Sequence, residues 1–599
     1  MRSLSVRENR ISKSRLAMFI AGVVVAWIAL VEGTIPAWWI ALPAGLFVLL
    51  VILHDRAIAA RERHERAASF YERGLARLED RWAGSGPTGD RFRDPHHPYA
   101  GDLDILGQGS LFQLLCSTGT AGGEEKLASW LLDAADKEEI LSRQEAISEL
   151  RPKLDLREDL AILGQTLDSQ FNSTRLREWA RSTPVIFSQW ERVVAPVLAT
   201  LTSIALLLAF PSVVRALIAL SDPKLAATLA GHPMMHIGSL PFLVMLIVQL
   251  GFAYRLSGRV NEVVAGVDRA GGDLSLISRI LARMERETFT SPRLMNLRQR
   301  LDAEGEPPSK RIARLNRLID LLESRRNQFF FPFAALLLWT TQLAFAIERW
   351  RSGSGTSIAT WIDAVAEFEA LGSLAAFSWE HPDHPFPTIA DEGPQVRGVA
   401  LGHPLLPKDR RIDNDLALDE RTRLLLISGS NMSGKSTMLR TVGTNTVLAL
   451  AGAPVCAKSM TVSPMHIGAS IQINDSLQEG SSRFYAEISR LKQIVELARG
   501  DVPLLFLLDE ILHGTNSHDR RIGAEAVIRS LIELGAVGLV TTHDLALARI
   551  TEHPELHAEN VHFEDHMEDG RMAFDYRMRP GVVEKSNALA LMRAVGLDV

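Results

Sequence analysis

The chain has 599 residues, enough for several domains, and a net charge of −6, so no global basic field advertises a nucleic-acid partner. Hydrophobic residues make up 47% and mean hydropathy is +0.06, high for a chain soluble throughout; the apolar excess is concentrated in segments and points to membrane spans. The two cysteines, Cys116 and Cys456, exclude a disulfide framework and a cysteine-based zinc site, and they suit a reducing compartment.

The first apolar run, Leu16–Val31, carries no charge, and neither does Ala37–Leu53 after Glu32 and a short turn. Each is close to the ~20 residues that span a bilayer. Arg2, Arg7, Arg10, Lys13 and Arg15 precede the pair, and Arg56, Arg61, Arg63 and Arg66 follow it. That asymmetry predicts a hairpin with both ends cytoplasmic. Trp38 and Trp39 fall at its outer interface. A cleaved signal peptide is the competing reading, opposed by the second run and by the lack of a clear cleavage site. Ala57–Trp82 is charged with a helical period and reads as a juxtamembrane helix. Ala83–Asp102 reads as a linker from its Gly and Pro content.

Ser110–Leu163 reads as amphipathic helices. A second uncharged pair follows, Val193–Phe210 and Ile237–Tyr254, again with arginines on the outer flanks. It predicts another hairpin; a buried core pair is the alternative. Ser257–Asn327 is helical in period, with Leu276, Ile280, Leu281 and Met284 on one face. Its many arginines alternate with acids, which makes a solvated face the default. Phe329–Ile347 reads as a buried core helix, with membrane contact as the alternative, and "RSGSGTS" (Arg351–Ser357) as a short break. From about Gly398 strands alternate with helices, which suggests a parallel-sheet nucleotide domain.

That domain carries the chemistry. "LLLISGSNMSGKSTMLR" (Leu424–Arg440) is an apolar strand, a small-residue loop and a helix start, with the spacing G-x-x-x-x-G-K-S. Small side chains at Gly429, Ser430, Asn431, Met432, Ser433 and Gly434 let backbone N–H groups cradle a phosphate, and the helix N-terminus adds a favourable dipole. Lys435 would reach the β and γ phosphates of ATP; Ser436, next to Thr437, would hold Mg²⁺. "LLFLLDE" (Leu504–Glu510) ends in two carboxylates: Asp509 to position Mg²⁺ directly or through water, Glu510 to orient or deprotonate the attacking water. "VGLVTTHD" (Val537–Asp544) brings His543 to a strand end, placed to sense the γ phosphate. His553, His557, His562 and His566 recur every four or five residues; a metal site there competes with the blander reading of exposed or hydrogen-bonded histidines, since Pro554 breaks any helix through the first pair.

"SGSNMSGKST", "LLFLLDEILHGTNSHD" and "TTHD" together resemble the ATPase domain of the MutS family of DNA mismatch-repair proteins. The resemblance implies more. "DSLQEGSSRFYAE" (Asp475–Glu487) is similar to the family's segment that reaches across a dimer, with Ser482 as the serine acting in trans and Gly480, Phe484 and Glu487 also aligning. Asp102–Leu132 is similar to the start of the family's helical core. The L-S-G-G-Q transporter signature is absent. Where the family often has an aromatic near the adenine, this chain has Arg411.

The expected fold is an α/β P-loop ATPase domain at the C-terminus, preceded by an all-α core and transmembrane helical hairpins. Its parts are a hairpin at 1–56, a juxtamembrane helix and linker at 57–101, a helical core at 102–397 with a second hairpin at 193–254, and the ATPase domain at 398–599. The chain leaves no room for mismatch-reading and connector domains, and the second hairpin sits where the family inserts its DNA clamp. The expected protein is a homodimeric ATPase in a bacterial-type inner (plasma) membrane with the catalytic domain in the cytoplasm. Its partners are the lipid bilayer and, by resemblance, DNA without mismatch preference. The rival reading is an ATP-driven conformational device acting on membrane or protein partners without DNA.

Overall fold

The computed structural model describes residues 2–164, 173–221, 240–270, 274–301, 305–328, 330–391, 393–430, 432–471, 483–512, 515–544, 546–568 and 571–583. The chain divides into two compact units: Met1–Gly119, Glu124–Gln165 and Glu369–Val599 form the first, Thr120–Gly123 and Thr166–Phe368 the second.

The first unit is organised by uninterrupted apolar strands. Three of them, β4 (Leu424–Ser428), β7 (Leu504–Asp509) and β8 (Val537–Thr542), are buried along almost their whole length, as parallel strands covered on both faces must be. With β6 (His466–Ser470), β9 (Ala558–Glu568) and β10 (Arg571–Pro580) they form a six-stranded sheet in the order β10-β9-β4-β8-β7-β6. All neighbours are parallel except β9 and β10, which form an antiparallel hairpin. Gly538 lets β8 lie tight on β7, since a Cβ there would come within 2.2 Å of the Phe506 carbonyl oxygen. Helices Arg483–Ala498 and Ser517–Glu533 supply Ile494 and Ile528 to the core around Phe506. A smaller sheet, β1-β5-β2-β3, comprises β1 (Thr388–Ile389), β2 (Val396–Leu401), β3 (Asn414–Leu418) and β5 (Ser459–Val462). Strand structure thus begins before the expected boundary at 398.

The helical core expected over 102–397 is not one body. Its beginning and end belong to the first unit because they pack there: the Ser117 N–H donates to Ser373 Oγ at 3.1 Å and the Gly119 N–H to Glu369 Oε1 at 3.1 Å. The first unit also contains the N-terminal helices Arg2–Trp27 and Ala41–Leu78. Between them lie a wide turn, Ile28–Glu32, Gly33 at φ +66°, and the stacked rings of Trp38 and Trp39, 4.9 Å apart. The expected juxtamembrane helix is no separate element. With no Gly or Pro between Gly45 and Gly74, the second apolar run continues into it as one helix. Tyr71 Oη donates to Glu158 at 2.6 Å, and Arg77 pairs with Glu380 at 2.5 Å, tying its far end down.

The second unit is helical. Helices Leu274–Glu285, Pro292–Leu301 and Pro308–Glu323 bury Ile280, Leu281, Leu297 and Leu315, the periodicity read in the sequence. Arg351–Ser357 is not a break but part of the continuous helix Trp339–Glu380. Its small residues serve close packing, since a Cβ on Gly355 would lie 2.8 Å from the Ala180 carbonyl oxygen. Arg351 pairs with the buried Glu348 at 2.9 Å and also reaches Ser182 and Thr183. The Phe329–Ile347 run is not one buried helix either. It is split into Phe331–Leu336 and the start of Trp339–Glu380, with Leu338 at φ +48° between them. Phe331 and Phe333 are exposed, whereas Leu343, Phe345 and Ile347 are buried.

Four stretches among the described residues are long and apolar enough to cross a membrane: Arg10–Glu32, Trp38–Leu78, Gln189–Phe210 and Leu240–Val267. Only 22% and 11% of the apolar windows in the second pair are buried, which a buried core pair would not give.

Candidate nucleotide site

The loop after β4 and the helix Lys435–Leu450 meet the end of β7 around a cavity of about 640 Å³. Met432, Gly434, Lys435, Ser436, Thr437, Asp509 and Glu510 all line it, so the loop and the acidic pair converge as their order along the chain implies. Two backbone positions make the loop possible. Gly429 stands at φ +153°, where a Cβ would press on Ser433 Oγ at 2.8 Å; Gly434 stands at φ +107°, where it would press on the Tyr576 ring at 3.1 Å. Met432 adopts φ +69° and points to solvent, 85% exposed.

Lys435 is buried, and its Nζ donates to the carbonyl oxygens of Gly429 and Ser430, both at 2.9 Å. It lies 3.4 Å from Glu510 Oε1, and His543 Nδ1 lies 3.5 Å from Glu510 Oε2. Beneath the loop the hydroxyls of Ser430 and Ser433 are buried with no hydrogen-bond partner. Asn431 and Ser482 fall outside the described residues, as does most of Asp475–Glu487.

β8 lies between the strand of the loop and the strand of the carboxylates, and it supplies a residue the sequence reading passed over. Thr541 Oγ1 donates to Asp509 Oδ1 and accepts the Glu510 N–H at 3.0 Å. One hydroxyl therefore fixes both acids. The signal was present in the doubled threonine of "TTHD", whose first member stands two residues before His543. Glu510 itself adopts φ +46° and Leu512 φ +62°, conformations that a non-glycine residue holds only when its surroundings impose them. The buried Glu487 accepts the Leu512 N–H and secures this turn. Asn516 caps the helix Ser517–Glu533 by accepting the Asp519 N–H at 2.9 Å.

His403, Ile412, Phe563 and Tyr576 also line the cavity. Burial, with Arg440 and Arg411 nearby, pushes His403 down to about 4, so its imidazole is neutral at physiological pH. Its Nδ1 accepts the Leu405 N–H at 3.2 Å, which leaves the proton on Nε2. Arg411 is also on the wall, its Nε donating to Asp413 at 2.8 Å. Tyr576 stands at φ +52° on a bulge of the β9–β10 hairpin; Asn414 donates to its carbonyl oxygen at 3.0 Å and accepts the Met578 N–H at 2.7 Å. No local pattern in the sequence announces these contacts, since they join segments more than 100 residues apart.

The MutS domain V family profile matches residues 425–598, the stretch that contains the loop, both acids, Thr541 and His543. Residues 425–598 are thus similar to the MutS domain V. The chain is 35% identical over 203 residues to the endonuclease MutS2 of Thermus thermophilus, a match covering 33% of this chain and 25% of that protein. It is 31% identical over 242 residues to the endonuclease MutS2 of Thermotoga maritima, covering 40% and 30%. It is 34% identical over 195 residues to the DNA mismatch repair protein MutS of Lactobacillus delbrueckii subsp. bulgaricus, covering 32% and 22%. The chain thus spans between about a fifth and a third of the length of the curated relatives it matches.

Several arginines of the second unit are paired with acids or carbonyl oxygens. Arg283 pairs with Glu287 at 2.5 Å, Arg293 and Arg300 both approach Glu367, and Arg314 pairs with Glu306 at 3.0 Å. Arg298 donates to the Glu287 carbonyl oxygen at 2.6 Å. The histidine series is not a metal centre among the described residues: His562 Nδ1 lies 3.0 Å from the Gly581 carbonyl oxygen and Nε2 3.3 Å from Glu564, and no group of three potential ligands occurs there.

Proposed function

We propose that this chain is a membrane-anchored MutS-type ATPase in which ATP binding and hydrolysis drive a conformational change of a dimer. The observation that carries the reading is the convergence of Lys435, Asp509 and Glu510 on a single cavity, with Thr541 and His543 in contact with the two acids. The residues fit MgATP. A buried lysine amine on the cavity wall answers to phosphate oxygens, and a hydroxyl and a carboxylate, Ser436 and Asp509, answer to a hard cation. When bound, Mg²⁺ neutralises phosphate charge and fixes the phosphate chain. Lys435 would give up its carbonyl partners for phosphate oxygens. Glu510 would orient the attacking water and accept its proton, with His543 beside it as a second polar contact. Thr541 would hold the Asp509 carboxylate and the backbone of Glu510 in place. His403 and Tyr576 also line the cavity and would flank the base. Dimerisation rests on the likeness of Asp475–Glu487 to the family's trans-acting segment, with Ser482 completing the partner's site. ATPase activity of the detergent-solubilised full chain, with and without DNA, tests the whole reading: no hydrolysis in either condition would end it.

Membrane anchoring is supported by the four long apolar stretches and by the arginines flanking them. The ATPase domain would then be cytoplasmic, in a plasma membrane of the bacterial inner type. Both native cysteines are buried, and burial pushes each thiol up to about 11, so they leave a quiet background for labelling. A cysteine at Thr34 should react with an impermeant thiol reagent on intact cells, and one at Ser517 should not. Reaction at Ser517 would overturn the topology.

A DNA-related role is supported by the names of the relatives, mismatch repair protein and endonuclease. The ion-paired arginines favour the second reading, a device acting on membrane or protein partners. If DNA binds, it should do so through phosphate contacts that weaken steeply with salt. In a competition titration at near-physiological salt, mismatched and matched duplexes should compete equally. A mismatch preference of about tenfold, ~1.4 kcal/mol, would reveal a reader that the described residues do not explain.

A further inference from the structure

We propose that the first unit contains a binding site for one small monovalent anion, chloride by its size, held by Arg73 and Trp82 where helix Ala41–Leu78 runs into the segment that follows it. The site is a cavity of about 20 Å³. The last turns of the helix bring Arg73 and Arg77 to its wall, the next segment brings Trp82, and Ser117 closes it from beyond the short helix Leu111–Leu115. It shares no lining residue with the nucleotide cavity.

Arg73 is a charge without a counter-charge. It is half-buried, and its guanidinium has no hydrogen-bond or ion-pair partner among the described residues. The nearby acid is already engaged: Glu380 accepts from Arg77 through both oxygens, at 2.6 and 2.5 Å. Arg77 stands four residues on from Arg73, so two guanidiniums share one helix face and Glu380 answers only the second. Trp82 adds a second unanswered donor. The residue is 6% exposed, its indole N–H meets no acceptor among the described residues, and its Nε1 is not sealed off inside the protein.

Both groups only donate. The other polar groups of the wall are turned to partners of their own. Ser85 Oγ donates to the Trp82 carbonyl oxygen at 2.6 Å, Ser117 Oγ donates to Ser373 Oγ at 3.1 Å, and Gln113 Oε1 accepts the N–H groups of Gly84 at 3.0 Å and Gly109 at 2.8 Å. The Cys116 thiol on the same wall is pushed up to about 11 by burial, so it is neutral and supplies no negative charge. Donors without acceptors beside an uncompensated cation select an anion. Volume then selects which one. The cavity is little larger than the ~10–15 Å³ that a single water needs, so a tetrahedral oxyanion such as phosphate is too large and a monatomic halide fits. A water accepts from the two donors but leaves the charge of Arg73 uncompensated. Chloride does both, and it ties the end of the helix to Trp82.

The test is the chloride NMR linewidth of the detergent-solubilised full chain, measured at constant ionic strength as chloride replaces gluconate. A saturable broadening should appear, with half-saturation on the order of 1–10 mM, as two charge-assisted hydrogen bonds give. Bromide should reverse it. Inorganic phosphate at the same ionic strength should not, which separates this site from the loop at Gly429–Lys435. Arg73→Met should abolish the saturable part, and Trp82→Phe should raise the half-saturation concentration. Because either substitution could loosen the end of the helix, the size selectivity of the unsubstituted chain decides alone. Broadening that does not saturate, that phosphate reverses as readily as bromide, or that survives in Arg73→Met overturns the site and leaves the ATPase reading untouched.

Discussion

Glu510→Gln should bind ATP with nearly unchanged affinity and hydrolyse it about 10²–10⁴-fold more slowly, the usual worth of a positioned general base. The substitution keeps the shape of the side chain and removes its proton affinity. It leaves Asp509 and its bond from Thr541 untouched, so the cation ligand survives. The backbone argument points the same way. Glu510 is held at φ +46° by the bond from its N–H to Thr541 at 3.0 Å and by the Glu487–Leu512 contact beyond it. Such a conformation costs on the order of 1–3 kcal/mol and is maintained where a side chain must be aimed. The glutamine should therefore occupy the same place and do nothing there. Equilibrium nucleotide binding and single-turnover hydrolysis, measured on the same preparation, separate the two effects. Hydrolysis at the normal rate would remove Glu510 from the role of base.

Lys435→Ala should act on binding instead, weakening nucleotide affinity on the order of 10–100-fold, as expected when a charge-assisted hydrogen bond is lost from a buried site. The amine is buried between two carbonyl oxygens and the Glu510 carboxylate. Removing it leaves the carboxylate without its nearest positive neighbour, so the phosphate end of the cavity turns net repulsive to an anion. The variant should still fold, because the sheet core lies on the far side of the loop. Mixing it with Ser482→Ala protein should restore activity through dimers that contain one intact composite site. Mixed dimers without activity would show that Ser482 does not act in trans. Affinity in the variant equal to that of the unsubstituted chain would show that the phosphates bind elsewhere.

The phosphate side of the site was legible because its chemistry is compressed into short stretches. A four-residue gap between Gly429 and Gly434, a lysine and a hydroxyl, and two acids at a strand end leave few alternatives. The rest of the site is assembled over distance. Tyr576 reaches the loop through a hairpin bulge clamped by Asn414, and His403 comes from the end of a strand in the other sheet. Neither has a local signature. The fold shows the same divide. Strands β4, β7 and β8 declared themselves by unbroken burial. The Gly and Ser run at 351–357 misled because composition alone does not tell a flexible break from a helix face shaved down for close packing against Ala180. The Phe331–Leu336 segment misled for the opposite reason: a strongly apolar run looks like a core, yet its phenylalanines face outward.

Helix Ala41–Leu78 has 38 residues and no interruption, which makes it a rod about 57 Å long. Its first half is exposed apolar surface; its last turns are gripped by Glu380 and Glu158, and its middle touches Asp159. A rod fastened at one end transmits rotation rather than absorbing it. A tilt of about 5° at the fastened end would carry the free end through about 5 Å along this length. Any rearrangement around Glu380 or Glu158 would thus reach the far end as a swing of the same order as a side chain's length, with no flexible tether in between to dissipate it. Inserting a glycine pair near His64 would convert the rod into a joint. The two ends would then turn independently while each kept its own contacts.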